Sequence, residues 1–297
     1  MAGHVLVIGD VMTDIVVLPE GPIVHGTDRR ATIRRMHGGA GANQALWLAA
    51  EGAEVVLVAK VGAGDTETLS AHFAARGVTP KLATDDALPT GTLICLVDAD
   101  GERSFLTDRG ANTALAAQDL PASLLDGVSL LHVSAYALVE RGPRAAVLSL
   151  MAAAHKRDIP VSLDPASTGF LEEIGPVEFR SWTRGAQVFF PNADEAQRLT
   201  GKADTDDQVA DLLKDYETVI LKKGAHGAIL AHRDGTRIAR AARPVTAVDT
   251  TGAGDAFAAG FLAASTRGAP DADALDAAIE AGAKAVSKIG AQPESAS

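Results

Sequence analysis

Sulfur crosslinking is the first thing this chain lacks: Cys95 is its only cysteine, which excludes an intrachain disulfide framework. Thr92-Leu93-Ile94 and Leu96-Val97 around it read as a strand, so the thiol is expected to be buried and inert. Positive charge is also short, with 27 Lys and Arg against 38 Asp and Glu and a formal net charge of −11. That balance disfavours nonspecific binding to nucleic acid or to an anionic membrane. It does not exclude an anionic small molecule, which backbone N–H groups and a divalent cation can hold locally. No apolar run approaches the roughly 20 residues needed to span a bilayer. Met1-Ala2-Gly3-His4-Val5 carries no basic stretch ahead of an apolar one. A cytoplasmic protein with no nucleic-acid or membrane partner is the resulting expectation. Two motifs are missing as well. Val7-Ile8-Gly9-Asp10-Val11-Met12 has no Gly-x-Gly-x-x-Gly turn, which argues against a dinucleotide-dependent oxidoreductase. No Gly-x-x-x-x-Gly-Lys-[Ser/Thr] occurs, which argues against a P-loop enzyme.

What is present is a chain of 297 residues, 47% hydrophobic, long enough for one large α/β domain or a core with a small subdomain. His4–Ile8 is a short apolar run stopped by Gly9-Asp10, the pattern of a buried first strand. Similar runs predict strands over 55–61, 129–133, 160–163, 187–190 and 218–221. Helical patterns lie over 44–50, 67–76, 144–156, 194–199, 206–214, 256–265 and 272–288. Buried strands alternating with helices imply right-handed crossovers, hence a Rossmann-like three-layer α/β core with a parallel-rich sheet. Two ribbon-like stretches, 11–37 and 90–108, interrupt that alternation. The second contains a hairpin signature, with Asp98-Ala99-Asp100-Gly101 as its turn. The expected organisation is therefore a core from 1–10, 38–89 and 109–297, with 11–37 and 90–108 forming a small β-sheet lid.

The chemistry concentrates in Val248-Asp249-Thr250-Thr251-Gly252-Ala253-Gly254-Asp255-Ala256-Phe257, directly before a helix. Small residues let the backbone approach a ligand, and the N–H groups of a helix start favour a phosphate. A carboxylate in that turn repels phosphate, so its better use is to take a proton from a hydroxyl attacking it. The bland alternative is a tight turn with a capping Asp.

Asp249 to Asp255 followed by Ala-Phe-x-x-Gly resembles the C-terminal signature of the PfkB, or ribokinase-like, carbohydrate kinases. Gly38, Gly39, Gly41, Asn43, Gly52 and Gly62 are similar to that family's N-terminal signature at every spacing, and Gly290-Ala291-Gln292-Pro293 resembles its chain end. The resemblance implies a ribokinase-like fold, ATP and Mg²⁺ as cofactors, and phosphoryl transfer to a small sugar or nucleoside. By the same resemblance Asp255 is the base, and the N–H groups of Gly252, Ala253 and Gly254 form the anion hole. Asn192 and Glu195 match the family's Asn-x-x-Glu element, Glu195 placing Mg²⁺ through water. The same two residues also fit a helix-capping pattern. Lys222, Gly224 and Gly227 fall in the nucleotide loop. Asp14, Gly39 and Asn43 fall in the acceptor pocket. Read from the residues themselves, Asp10 is either a further substrate contact or a turn cap, and Arg103 and Arg109 are either a clamp for an anionic acceptor or solvated ribbon arginines. A K⁺ site is implied at Asp249, Thr251, Ala285, Lys288 and Gly290, although Glu294 stands where the family has a serine. Ribokinase-like lids pair, which implies a homodimer.

Three positions differ from a ribokinase. Ala40 stands in place of a lysine, Met12 in place of an asparagine, and Ser134-Ala135-Tyr136 where an acidic sugar contact is expected. They point to an acceptor larger or less polar than ribose. A nucleoside kinase of the same fold is the alternative, and a ligand-sensing pseudokinase a further one that the retained Asp255 argues against.

Overall fold

The computed structural model describes residues 3–98 and 103–294. In chain order its strands are β1 (His4–Ile8), β2 (Met12–Pro19), β3 (Ala31–Gly38), β4 (Val55–Gly62), β5 (Val78–Asp85), β6 (Thr90–Val97), β7 (Arg103–Gly110), β8 (Val128–Ser134), β9 (Val161–Asp164), β10 (Val188–Phe189), β11 (Thr218–Lys222), β12 (Ala228–His232) and β13 (Arg237–Arg240). The helices are α1 (Ala40–Ala50), α2 (Thr66–Ala74), α3 (Arg141–His155), α4 (Thr168–Ile174), α5 (Pro176–Thr183), α6 (Ala193–Thr200), α7 (Thr205–Leu212), α8 (Ala253–Thr266) and α9 (Asp271–Val286).

Nine strands form one sheet in the order β13-β12-β11-β10-β9-β8-β1-β4-β5. It is parallel from β5 to β11, and its antiparallel pairs, β11–β12 and β12–β13, lie at one edge, where β12 alone is reversed. Strand β1 shows why this is a three-layer fold. Its side chains alternate between faces, and both faces are buried. Leu6 and Ile8 join a core with Leu131, Val133, Val147 and Leu150 on the α3 side. Val5 and Val7 join a second core with Leu46, Phe257 and Phe261 on the side of α1, α8 and α9. On that second face Gly260 allows close helix contact: a Cβ there would meet Ala281 Cβ at 2.7 Å.

The two ribbons form a separate four-stranded sheet in the order β3-β2-β6-β7. The β2–β3 and β6–β7 pairs are antiparallel hairpins, joined through a parallel β2–β6 pair. The expected turn at 98–101 lies largely outside the described residues. This sheet reaches slightly further than the ribbons read from sequence, to Gly38 at one end and Gly110 at the other.

Several elements differ from expectation. Strand β5 carries Pro80, which removes a ladder donor and is tolerated because β5 is the sheet edge. The β12–β13 hairpin and the short helices α4 and α5 are likewise additions to the expected set. Among the described residues no helix is long and apolar enough to cross a membrane.

Candidate active site

The turn before α8 is built on a backbone bend that only glycine tolerates easily. Gly252 caps the helix at φ +74°, and a Cβ there would meet Ala291 at 2.7 Å. The loop around Gly290 therefore seats directly beneath the turn. Asp249 ties the two together, accepting from Thr251 N at 2.8 Å and from Gly290 N at 3.0 Å. Of the first N–H groups of α8, that of Ala253 donates to the Thr250 carbonyl at 3.3 Å, and Asp255 stands in the same first turn.

Asp255 is reached from the other half of the chain. Helix α1 begins at the glycine-rich run, and its second turn presents Asn43 and Gln44. Asn43 Nδ2 donates to Asp255 Oδ2 at 3.1 Å, and Gln44 Nε2 donates to Oδ1 at 3.0 Å. Burial raises the Asp255 pKa well above the carboxylate range. Asp164 raises it further, while the Asn43 hydrogen bond works against both.

A second cluster lies beside it. Lys222, at the end of β11, donates to Asp164 at 2.7 Å, and a Cβ on Gly254 would sit 3.3 Å from the Lys222 ammonium. Asn192 and Glu195 form a reciprocal capping box at the start of α6, each accepting from the other's backbone N–H at 2.8 Å. Burial pushes the Glu195 carboxyl up to about 8, with Asp164 adding to it and Lys222 opposing. For Lys222, burial acts to lower its pKa, but the Asp164 and Glu195 carboxylates reverse that and hold the ammonium protonated. Three acids, Asp164, Glu195 and Asp255, thus act on one lysine, an excess of negative charge that suits a cation. Among the described residues no three His, Cys, Asp or Glu groups come close enough to ligate an ion directly.

Asp14 lies on β2 of the small sheet, its carboxylate against Gly38 at the entrance to α1. Its Oδ1 is buried without a hydrogen-bond partner, as is Asn43 Oδ1. Burial, then the Asp10 charge, pushes Asp14 up to about 7. Gly39, at φ +97°, lets α1 approach so closely that a Cβ would meet the Asp10 carbonyl at 2.6 Å. Asp10 itself accepts from Gly41 N at 3.1 Å and so caps α1 across the fold. Arg109 lines a small cavity with Asp10 and Lys60 and donates to the Tyr136 carbonyl at 2.9 Å. The Tyr136 ring stands edge-on to Phe170 and beneath Arg109, so its faces already have neighbours.

Other sequence-derived residues stand apart. Gly227, at φ +86°, packs against the Arg240 carbonyl of the edge hairpin, and Gly224 is exposed. Ala285 O accepts from Lys288 N at 3.4 Å, but the Lys288 ammonium turns away to lie 5.0 Å from the centre of the Trp47 ring. It lines a cleft of about 620 Å³ that shares Glu294 but not Asp255. Sequence reasoning missed Gln44, His132 and Asp164. A polar residue closing a buried parallel strand was the available signal for Asp164, since ligands gather at strand C-termini.

The site thus joins a helix start, a carboxylate in its first turn and one lysine among acids. The chain belongs to the pfkB family of carbohydrate kinases, whose family model matches residues 2–297. It is 32% identical over 96% of its length to the bifunctional protein HldE of Rhodopseudomonas palustris (strain BisB5), and spans 60% of that protein. It is 33% identical to the aminoimidazole riboside kinase of Salmonella typhimurium, covering 97% of this chain and 90% of that one. An E. coli chain titled as a Ribokinase II, solved in complex with ATP and Mg²⁺, superposes with a TM-score of 0.87 at 22% identity, covering 99% of this chain and 96% of that one.

Proposed function

We propose that the protein transfers the γ-phosphoryl group of ATP to a hydroxyl of a small sugar or sugar-like acceptor. The observation that carries this reading is the placement of Asp255. A half-buried carboxylate sits in the first turn of α8, next to the small residues Gly252, Ala253 and Gly254, with both oxygens aligned by amide donors. Burial raises its proton affinity above that of an ordinary carboxylate, the direction that strengthens a base. The acceptor hydroxyl gives its proton to Asp255 as its oxygen attacks. The Gly252–Gly254 N–H groups offset charge developing on the transferred group.

Asp14 and Asn43 support a hydroxyl-rich acceptor, because each offers a buried oxygen with no partner of its own. An acceptor hydroxyl donates well to such an oxygen. Gly39 packs against Asp10, Arg109 lines a cavity with Asp10, and the four-stranded sheet is assigned as the lid. ATP suits the helix start and Lys222, which lies against Gly254. Mg²⁺, which would neutralise phosphate charge when bound, suits the acid-rich cluster, with Glu195 reaching it through water. K⁺ is assigned to the Asp249–Gly290 loop pair, held by carbonyls because the Asp249 carboxylate is engaged by N–H donors.

A nucleoside acceptor is the second reading, favoured by the similarity to a riboside kinase from Salmonella typhimurium. ADP release from Mg-ATP, measured against pentoses, hexoses, keto-deoxy acids and nucleosides with and without K⁺, separates the two. Turnover on sugars alone supports the first reading, and turnover on nucleosides alone replaces it with the second. ATP binding without turnover on any of them would refute both.

A further inference from the structure

Asn43 is not the only group that fixes Asp255. The second carboxylate oxygen ends a line of buried side chains that begins two strands away. Gln44 Nε2 donates to Asp255 Oδ1 at 3.0 Å, Gln44 Oε1 lies 3.1 Å from His132 Nε2, and His132 Nδ1 lies 2.8 Å from Ser162 Oγ. Gln44, His132 and Ser162 are all fully buried. His132 on β8 and Ser162 on β9 are register partners, so the backbone ladder sets their separation.

With Asp255 ionised, the state in which it can act as a base, donors and acceptors along this line have one consistent assignment. An ionised carboxylate only accepts, so Gln44 turns its amide NH₂ to Asp255 and its carbonyl to His132. That carbonyl only accepts, so His132 Nε2 carries a proton. Burial, followed by the Lys222 ammonium, pushes the His132 pKa down to about 3, which leaves the ring neutral and Nδ1 bare. Ser162 then donates its hydroxyl to Nδ1. The Phe190 ring meets the imidazole edge-on at 6.4 Å and fixes its plane.

Such a line is costly to bury unless it is complete. The neighbours of His132 on β8 are Leu130, Leu131 and Val133, all buried aliphatics, and another aliphatic would satisfy the packing. The line has a chemical use only at the end where it meets Asp255.

We propose that Gln44 and His132 are positioning residues for Asp255: they lock Oδ1 and leave Oδ2, beside Asn43, to receive the acceptor's proton. This rests on Asp255 being the base. The charges facing Asp255 are Asp164 from β9, Lys222 from β11 and Asp10 after β1, with Glu195 of α6 facing Lys222. The acids favour the protonated carboxyl, whereas a donated amide N–H favours the ionised one.

Three variants test it. Gln44→Met and His132→Leu each remove a donor at similar volume, and His132→Gln restores an amide donor toward Gln44. The Asp255 carboxylate is titrated by infrared difference against Asp255→Asn, which requires no acceptor. Its midpoint is expected to rise by about one pH unit in Gln44→Met and His132→Leu and to return toward wild type in His132→Gln. With a competent acceptor, kcat falls about tenfold in the first two variants while both KM values stay within about twofold. Circular dichroism and nucleotide binding check that each variant is folded, and the His132 pair decides the matter if Gln44→Met is not. An unmoved midpoint in a folded variant overturns the proposal. So does a His132→Leu defect that His132→Gln fails to relieve, because packing alone would then explain it. Absence of wild-type turnover on every acceptor would instead strike at the kinase reading, while the titration would still decide the positioning.

Discussion

Lys222 Nζ donates to Asp164 Oδ2 at 2.7 Å, joining the ends of strands β11 and β9 across β10 with both side chains nearly sealed from solvent. Two charges out of water are stable only as a pair. Asp164→Ala removes the hydrogen-bonded partner of the ammonium and leaves it only Glu195 and Asp255, and is expected to cost ~3–5 kcal/mol in urea unfolding. Lys222→Met should cost a similar amount, since it leaves Asp164 and Glu195 facing each other. Removing both partners leaves no orphaned charge, so the double variant is expected to lose less than the two single costs combined. Additive losses would show that the pair is not coupled.

Asp255→Asn keeps the shape of the side chain and its place in the turn while removing the proton acceptor. The expected result is a fall in kcat of roughly 10²–10⁴ with little change in nucleotide affinity. Steady-state kinetics beside a nucleotide titration makes the comparison. Near wild-type turnover in this variant would take Asp255 out of the mechanism.

Asp14 predicts a pH effect in two observables. Its folded pKa is raised to about 7, by burial first and by Asp10 second, from an ordinary value of 3.8. A group raised in this way adds stability that is complete below its unfolded pKa and is lost as pH rises through the folded one. Wild-type stability relative to Asp14→Asn should therefore decline between about pH 4 and 7 and level off above. Acceptor binding should run the other way, because an ionised Asp14 is the better acceptor of hydroxyl protons. The acceptor KM is expected to fall as pH rises through about 7, and Asp14→Asn to flatten that profile while leaving the KM for ATP unchanged. A profile shared by wild type and variant would assign the titration to another group.

The relation between sequence and structure differs from residue to residue. Strand β1 lies where its apolar run ends at Gly9-Asp10, because a fully buried parallel strand is written as an unbroken hydrophobic run. The turn at Gly252–Asp255 was legible because its local pattern of small residues and one acid belongs to a helix start. Asn192 and Glu195 were legible for the same local reason, and the structure gives them the capping box as well as a place beside Lys222. His132 was not legible, and Asp164 only as a polar residue at the end of a strand. Each is a polar residue on a short buried strand, and its meaning depends on which strands become neighbours. Nothing within either strand says that β9 lies beside β8 and β10, nor that α1 covers His132 with Gln44. The edge hairpin of β12 and β13 escaped for a different reason, since short strands at a sheet edge carry weak periodicity.

The small sheet carries a prediction about assembly. Val17 pairs with Ile33 and Leu96, Ile15 with Ile94, and Ile94 with Leu106. These six aliphatics share one face, because alternate residues of paired strands point the same way. Met12 and Asp14 point to the other face, toward the core. Ile33 and Leu106 are 65% and 59% exposed, so the aliphatic strip opens to solvent. On the same face exposed Arg35 lies on β3 at one edge and exposed Asp108 on β7 at the other. A two-fold axis through the strip would bring Arg35 of each copy toward Asp108 of its partner while burying the aliphatics, a self-complementary arrangement. The expected state at tens of micromolar is a dimer by sedimentation velocity. Ile33→Glu with Leu106→Glu places two acids in the strip and should yield a folded monomer with unchanged nucleotide binding. A wild-type chain that sediments as a monomer at that concentration would remove the dimer, and the strip would then need another partner.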